Sequence, residues 1–157
     1  MAKPVKIKKT FDFGKLAGLF PSIIVEGLNV IGKRANNAIQ DGVESGKDIN
    51  GKAFEKLKPV TIELGGSKPL LRSGNMKKTK LKPATVSDPK FTIEMRTKYG
   101  AFHNTGFVQT NKKQWFHGSK VPQREWFGMS KTVLPGGEEF KKTMLEIRAR
   151  LRIALKK

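Results

Sequence analysis

Cysteine is absent from the 157 residues of the sequence, and histidine and tyrosine are scarce, with two residues and one residue respectively. Without cysteine the chain forms no disulfide and no thiolate zinc site, and nothing points to an oxidising compartment. No apolar run approaches the ~20 residues of a membrane-spanning helix. The basic start continues into a segment with charges at Asp12, Lys15 and Glu26, which is a poor match to a signal peptide. We therefore expect an intracellular protein.

Acidic residues are few as well. The chain has 13 acidic and 32 basic residues, which gives a formal net charge of +19 at pH 7. This excess goes far beyond what solubility requires and favours an anionic partner, either nucleic acid, an acidic protein surface or anionic lipid. The length suits one domain, 1–157, that begins with a basic arm, 1–10, and is large enough to bury a core.

Two segments have the periodicity of amphipathic helices. In 21–45 and in 138–156, apolar residues recur at steps of three and four. Glycines at 42 and 46 mark the end of the first helix, and Pro21 is expected to break or kink any helix that begins before it. We expect the second helix to pack against the sheet or the first helix through the apolar stripe Phe140, Met144, Ile147 and Leu151.

The segment between the helices carries strand and turn signals. Phe91, Ile93 and Met95 alternate with polar residues, which predicts a half-buried strand, and the Ser-Asp-Pro turn before it predicts a hairpin with 77–86. We interpret 109–121 and 124–130 as further short strands or extended loops. The predicted fold class is α+β: a small antiparallel β-sheet flanked by a long N-terminal helix and a C-terminal amphipathic helix.

Patterns that would support catalysis are weak. The glycines in 42–47 lack the spacing of a phosphate-binding loop, and the Asp-Ile-Asn-Gly stretch at 48–51 lacks the twelfth-position Glu of a calcium loop. No acidic cluster near His103 or His117 completes a metal site, so we interpret both as hydrogen-bonding or surface residues. The sequence predicts no catalytic residue, metal ligand or cofactor, and we expect a protein that is not an enzyme.

Basic residues alternate with aromatic residues in two places, 112–117 and 124–127. One interpretation is that the aromatic rings stack on bases while the cations contact phosphates. The other is that Trp115, Phe116, Trp126 and Phe127 lie in the core or at an interface between proteins. No signature of a known nucleic-acid-binding fold accompanies them. A small basic nucleic-acid-binding protein remains an alternative function.

Four segments, taken in order, resemble one protein family. Motif 1 (51–61, GKAFEKLKPVT) resembles G-x-x-W-x-x-L-x-x-x-T, and motif 2 (70–79, LLRSGNMKKT) resembles I-L-x-x-T-G-x-L-x-x-S. Motif 3 (99–106, YGAFHNTG) is similar to Y-A-A-x-H-x-x-G, and motif 4 (121–130, VPQREWFGMS) is similar to I-P-x-R-x-F-L-G-L-S. These are elements of the phage virion morphogenesis family, the tail-completion proteins of Mu-like and related tailed phages.

The resemblance covers a core of strands and turns, 51–130, and implies a non-enzymatic structural protein of a tailed phage virion or a prophage-derived particle. Such a protein acts in tail completion and head-to-tail joining. It forms a ring, expected to be hexameric, in the neck of the virion, and is made in the cytoplasm of the host bacterium. The implied partners are further copies of the chain, neighbouring neck, connector, tail-terminator or tail-tube proteins, and genomic DNA in the channel. No membrane and no small-molecule substrate is implied.

The resemblance also implies roles for single residues. Gly74 and Gly106 are expected where the backbone needs a positive φ or a close approach, His103 is expected to make structural hydrogen bonds, and Pro122 fixes an extended start to motif 4. Arg124 suits a carboxylate of a neighbouring subunit or a backbone carbonyl. Candidates for the assembly interface are Arg124, Trp126, Phe127, Trp115 and Phe116. Basic candidates for contact with a partner or with DNA are Lys3, Lys6, Lys8, Lys9, Lys77, Lys78, Lys80 and Lys82.

Overall fold

The computed structural model describes residues 13–71, 73–97, 100–108, 110, 112 and 118–154, with side chains from residue 20 onward except at 60. Four helices and four strands follow one another in this part of the chain. They are α1 (Phe13–Ser45), α2 (Pro59–Glu63), β1 (Thr79–Lys82), β2 (Thr92–Met95), α3 (Gly100–Thr105), β3 (Phe107–Val108), β4 (Lys120–Val121) and α4 (Glu138–Ala154), with a single 3-10 turn at Asn75–Lys77. The long N-terminal helix, the small antiparallel sheets and the C-terminal helix confirm the predicted α+β fold class.

Helix α1 runs through Pro21 without a break, so of the two expected outcomes, a break or a kink, the break does not occur. A proline inside a helix removes one backbone donor and crowds the preceding turn, at a cost of roughly 3 kcal/mol. Packing of the later turns stabilises α1 enough to tolerate this cost, because Ile31, Ala35, Ile39 and Val43 are buried along one face. The helix ends at Ser45, where the backbone amide of residue 47 bonds the carbonyl oxygen of residue 42 at 2.8 Å.

The β1–β2 hairpin lies on α1 through one of its two faces. Leu81 is opposite Ile93 in the antiparallel register, and Ile93 and Phe91 pack against the buried α1 residues Ile31 and Ala35. Antiparallel partners share a face of the ribbon, so these residues form the inner face. Polar contacts fix the same side, because the Asn29 amide donates to the carbonyl oxygen of residue 84 at 3.1 Å and accepts from its backbone amide at 2.7 Å.

The predicted single sheet is two separate two-stranded sheets in the described part of the chain, β1–β2 and β3–β4. Strand β4 lies within 109–121, whereas the range 124–130 contains no strand and is a loop, the second of the two alternatives. Its backbone groups bond to other segments instead of to a neighbouring strand. The amide of Arg124 donates to the carbonyl oxygen of His103 at 2.8 Å, and the amide of Ile49 donates to that of Glu125 at 2.9 Å.

Helix α4 packs on α1, and its contact line differs from the predicted stripe by one residue. Thr143 is only 1% exposed, whereas Met144 is 43% exposed and faces away from α1. Gly27 allows the close approach, because a Cβ there would lie 3.0 Å from Cγ1 of Ile147. One residue turns a helix by about 100°, so a small error in the direction of the stripe exchanges a buried position for an exposed one.

The core has two connected parts along α1. One is built around Ile31, Ala35 and Val133, with Phe91 and Phe140 packed against it. The other surrounds the last turns of α1 and contains the buried residues Ile39, Val43, Met76 and Trp126. Met76 and Trp126 of this second part come from the family-like motifs, and they lead to the candidate site.

Candidate functional site

The four motifs meet at one place, which we call the motif junction. It is defined by Phe54 of motif 1, Met76 of motif 2, Gly100 and His103 of motif 3, and Arg124 and Trp126 of motif 4. Phe54, Met76 and Trp126 belong to the same hydrophobic cluster, together with Ile39 and Val43 of α1. Segments that are far apart in sequence therefore contact one another through the residues that carry the family resemblance.

Trp126 is the centre of the motif junction. Its side chain is buried, with 1% of the residue exposed, and its indole Nε1 donates to the carbonyl oxygen of Gly100 at 3.0 Å. Gly100 has no room for a side chain, because a Cβ would lie 2.8 Å from Cζ2 of Trp126 and 2.6 Å from Oγ1 of Thr97. Motifs 3 and 4 are thus joined by a buried hydrogen bond and by a close contact that requires glycine.

Arg124 lies next to Trp126 and is buried, with 7% of the residue exposed. Its Nη2 donates to the carbonyl oxygen of Glu55 in motif 1 at 3.5 Å, which is a long hydrogen bond, and its buried Nε has no acceptor among the described residues. Burial lowers the pKa of the guanidinium, and the nearby Glu55 carboxylate partly counteracts this. The guanidinium therefore keeps hydrogen-bonding capacity that the described residues leave unused.

Backbone contacts between motifs 3 and 4 complete the junction. The Asn104 side-chain oxygen accepts from the amide of Phe127 at 3.0 Å, and the carbonyl oxygen of His103 accepts from the amide of Arg124. Gly106 has a φ of 73°, and a Cβ there would lie 2.9 Å from the amide nitrogen of Gln123. A residue other than glycine would be strained at this position and would also push the two motifs apart.

Motif 2 contributes a turn that presses on the same cluster. Gly74 has a φ of 66° and precedes the 3-10 turn, which buries Met76. Thr97 Oγ1 lies 3.4 Å from the sulfur of Met76, and Leu70 and Leu71 pack against the cluster from the preceding turn. Leu70 itself has a left-handed φ of 66°, which is strained for a leucine. This part of the motif anchors the chain to the core.

The predicted interface residues divide into buried and undescribed ones. Trp126 and Arg124 are interior residues of the single chain, so Trp126 offers no ring to a nucleic-acid base or to a partner protein. Of the interpretations left open for Trp126, its burial agrees with a core residue and not with base stacking. Phe127 is half-buried, with its ring centroid 5.4 Å from that of Trp126. The predictions for Trp115, Phe116 and His117 fall outside the described residues.

The basic candidates are distributed over different environments. Lys77 pairs with Glu44 of α1 at 3.2 Å, and Lys82 pairs with Glu94 across the hairpin. Lys78 and Lys80 are exposed. The arm residues Lys3, Lys6, Lys8 and Lys9 fall outside the described part of the chain. Pro122 follows β4 directly and is half-buried.

The described residues show neither a metal-binding cluster nor a membrane-spanning helix. No group of three or more His, Cys, Asp or Glu residues in 13–71, 73–97, 100–108 and 118–154 is arranged to hold a metal ion. Among the helices of the same residues, none is long and apolar enough to cross a membrane. The geometry of the motif junction is that of a packing site with one charged group inside it.

The contact between α1 and α4 has a polar side that the sequence did not predict. Arg34 Nη1 donates to Thr143 Oγ1 at 2.7 Å and to the carbonyl oxygen of Glu139 at 3.1 Å, and its Nη2 meets a carboxylate oxygen of Glu146 at 3.1 Å. Glu139, Thr143 and Glu146 are spaced by four and three residues, so they lie on one face of α4. This polar stripe was visible in the sequence, but its partner is about a hundred residues away and gives no local signal.

Comparisons with known proteins returned no match. No protein-family model, no curated protein and no solved structure is similar to this chain at a significant level.

Proposed function

We propose that this chain is a non-enzymatic structural protein of a tailed phage virion, or of a prophage-derived particle, that completes the tail and joins it to the head as a ring component of the neck. The observation that carries the proposal is the motif junction. Four segments that resemble motifs of the phage virion morphogenesis family contact one cluster there, through Phe54, Met76, Gly100 and Trp126. These four residues differ from the family's residue types, but His103 and Arg124, which match them, join motifs 3 and 4 beside the cluster.

The departures from the family motifs keep apolar bulk. Phe54 occupies a position where motif 1 of the family has Trp, and Trp126 occupies one where motif 4 usually has Pro before the aromatic residue. Both side chains contribute to the same cluster, so the departures change details of packing and leave the cluster apolar.

Arg124 holds motif 4 against motif 1 from inside the junction. Its Nη2 donates to the carbonyl oxygen of Glu55, which is the backbone-carbonyl partner that the sequence allowed for it. A buried arginine with one long hydrogen bond adds little to stability, because its desolvation cost is not offset by close partners. Since its Nε is also enclosed, we do not assign Arg124 to the surface of the proposed ring.

The direct test is genetic and uses the phage or prophage that encodes the chain. Deleting the gene should leave full heads and separate tails that electron microscopy shows unjoined, and supplying the chain in trans should restore joined particles. Normal infectious particles from the deletion would contradict the proposal.

The interior position of Arg124 is tested in the same system with Arg124→Met. We expect this variant to keep or slightly raise the thermal stability of the isolated chain, since an apolar side chain of similar length replaces a poorly paired buried charge. We also expect it to restore joining, because the guanidinium lies inside the chain. Arg148→Met, at an exposed position of α4, is the matched control and should restore joining as well. Failure of a folded Arg124→Met variant to join heads and tails would show that the guanidinium contacts a partner.

A further inference from the structure

The outward side of the β1–β2 hairpin is a basic surface of defined geometry, which we call the hairpin outer face. Lys80 lies opposite Glu94 and Lys82 opposite Thr92, and these pairs alternate with the inner pairs that pack on α1. Lys78 and Arg96 are exposed just beyond the ends of the paired segment. The hairpin outer face consists of Lys78, Lys80, Lys82, Thr92, Glu94 and Arg96.

Positive charge dominates this face, with four cations and one carboxylate. The carboxylate of Glu94 bonds to Lys82, and this bond is the main cause that lowers the pKa of Glu94. The charges of Lys80 and Arg96 lower the pKa of Glu94 further, so these cations surround the one acidic group. In the described chain no carboxylate forms an ion pair with Lys78, Lys80 or Arg96.

Hydrogen bonds to α1 fix the position of the β1–β2 hairpin, so its outward cations project from an ordered platform. Thr79 Oγ1 donates to Asn36 Oδ1 at 2.7 Å and lies 3.1 Å from the Gln40 amide, while Asn29 binds the backbone of residue 84 in both directions. A platform that is already ordered loses less conformational entropy when it binds a ligand. Successive outward lysines of β1 are spaced by two residues, or about 6.8 Å.

The composition of the hairpin outer face favours nucleic acid over an acidic protein as its anionic partner. Protein interfaces take their affinity from aromatic and apolar anchors and are depleted in lysine, and the hairpin outer face has no apolar side chain. Contacts with nucleic-acid phosphates need only lysine, arginine and small polar side chains, and phosphates along one DNA strand follow each other at about 3.4 Å of helix rise. Because the backbone also winds around the axis, neighbouring phosphates lie farther apart than this rise, and lysines about 6.8 Å apart can contact successive phosphates.

We propose that the hairpin outer face binds the phosphate backbone of duplex DNA without sequence preference, through Lys78, Lys80, Lys82 and Arg96. The inference depends on the charges and the fixed geometry of this face, and it holds whether or not the chain is a virion component. Loss of DNA binding and loss of head–tail joining are separate observations, so either proposal can fail alone.

The test is fluorescence anisotropy with the full-length chain and two labelled duplexes of unrelated sequence. We expect equal affinity for both duplexes and a linear fall of log K with log salt concentration, with a slope of about −0.9 for each phosphate contacted. Replacing Lys80, Lys82 and Arg96 together by Gln should make this slope shallower by about 2 to 3 and weaken binding at least about tenfold near 0.1 M salt.

A matched control separates this face from the net charge of the chain. Lys52, Lys56 and Lys58 are exposed lysines outside the hairpin, and replacing all three by Gln removes the same charge. This control should keep the wild-type slope. Glu94→Gln removes the acidic group of the face and should tighten binding, a gain that misfolding does not produce.

Three results would overturn the proposal. They are equal losses of affinity in the two triple variants, no gain with Glu94→Gln, or no binding of either duplex at about 0.05 M salt. The last result together with binding of poly-glutamate through the same lysines would identify an acidic protein as the partner. Circular dichroism of each variant ensures that only folded chains are compared.

Discussion

Single residues of the motif junction combine burial with charge, and His103 shows the consequence most directly. Burial lowers the pKa of this imidazole, and the positive charge of Arg124 lowers it further, from an ordinary value of 6.5. The folded chain therefore binds fewer protons at His103 than the unfolded chain does over the pH range just below 6.5. The contribution of His103 to stability is therefore complete at pH values above its pKa in the unfolded chain, and it is lost as the pH falls from there towards the lower pKa of the folded chain.

We predict that the free energy of unfolding falls when the pH is lowered from 7 towards 5.5, and that His103→Gln reduces this fall. Urea unfolding followed by circular dichroism at both pH values measures the difference within each variant. The absolute stability of the variant therefore does not affect the comparison. His117→Gln changes the other of the two histidines and serves as the control. A pH dependence that disappears with His117→Gln and persists with His103→Gln would contradict the prediction.

At the scale of elements, Arg34 makes most of the polar contacts between α1 and α4, beside the ion pair of Glu26 with Arg150. Arg34 is 29% exposed at its side chain and bonds Glu139, Thr143 and Glu146. Without Arg34 the buried Thr143 hydroxyl would lose a donor, whereas solvent screens the two carboxylates.

We therefore predict that Arg34→Ala lowers the free energy of unfolding by about 1–2 kcal/mol. Arg148→Ala, at an exposed position of α4, should change it by less than about 0.5 kcal/mol. Equal values for the two variants in chemical unfolding would show that Arg34 adds nothing to the contact between the helices.

Elements were predicted where the signal is local and missed where it is not. The periodicity of α4 and the alternation in β2 follow from contacts within a few residues, so sequence alone gives them. Whether Thr143 or Met144 faces α1 depends on the direction from which α1 approaches, and that is set by Arg34 and Gly27 far along the chain. The range 124–130 has strand-like composition, yet its backbone bonds residues 49 and 103 instead of a strand. In both cases, the buried face of α4 and the conformation of 124–130, contacts with distant parts of the chain determine the structure.

At the scale of the whole molecule, the motifs predicted which segments matter but not which of their residues are buried. Gly106 and Gly74 have the left-handed backbone that the motifs imply. Trp126 and Arg124, in contrast, had been expected at an interface and are interior. A motif reports that a residue type is needed at a position, and an aromatic or basic residue meets that need in a core as well as on a surface. Burial becomes visible only when the four segments are placed together.

The net charge of the whole chain suggests that the proposed ring assembles only together with a partner. Each chain carries +19, so copies in a ring repel one another unless DNA, an acidic protein or salt supplies the opposite charge. We predict that the purified chain is monomeric, with a mass near 17.5 kDa in light scattering, at about 0.15 M salt, and that it forms a ring only on a connector or tail partner. A stable ring of purified protein alone would contradict this.

The basic arm, 1–10, is predicted to act in the same step. A short charged segment buries little apolar surface, so we expect it to gain order when a partner neutralises its lysines at 3, 6, 8 and 9. Deleting residues 1–10 should then leave the melting temperature of the isolated chain unchanged while heads and tails stay unjoined in particles. Replacing the four lysines by arginine keeps the charge and should preserve joining, whereas replacing them by glutamine should abolish it. Infectious particles from the glutamine variant would show that repulsion within the ring is overcome without the arm, and the opposite charge would then have to act on the folded part of the chain.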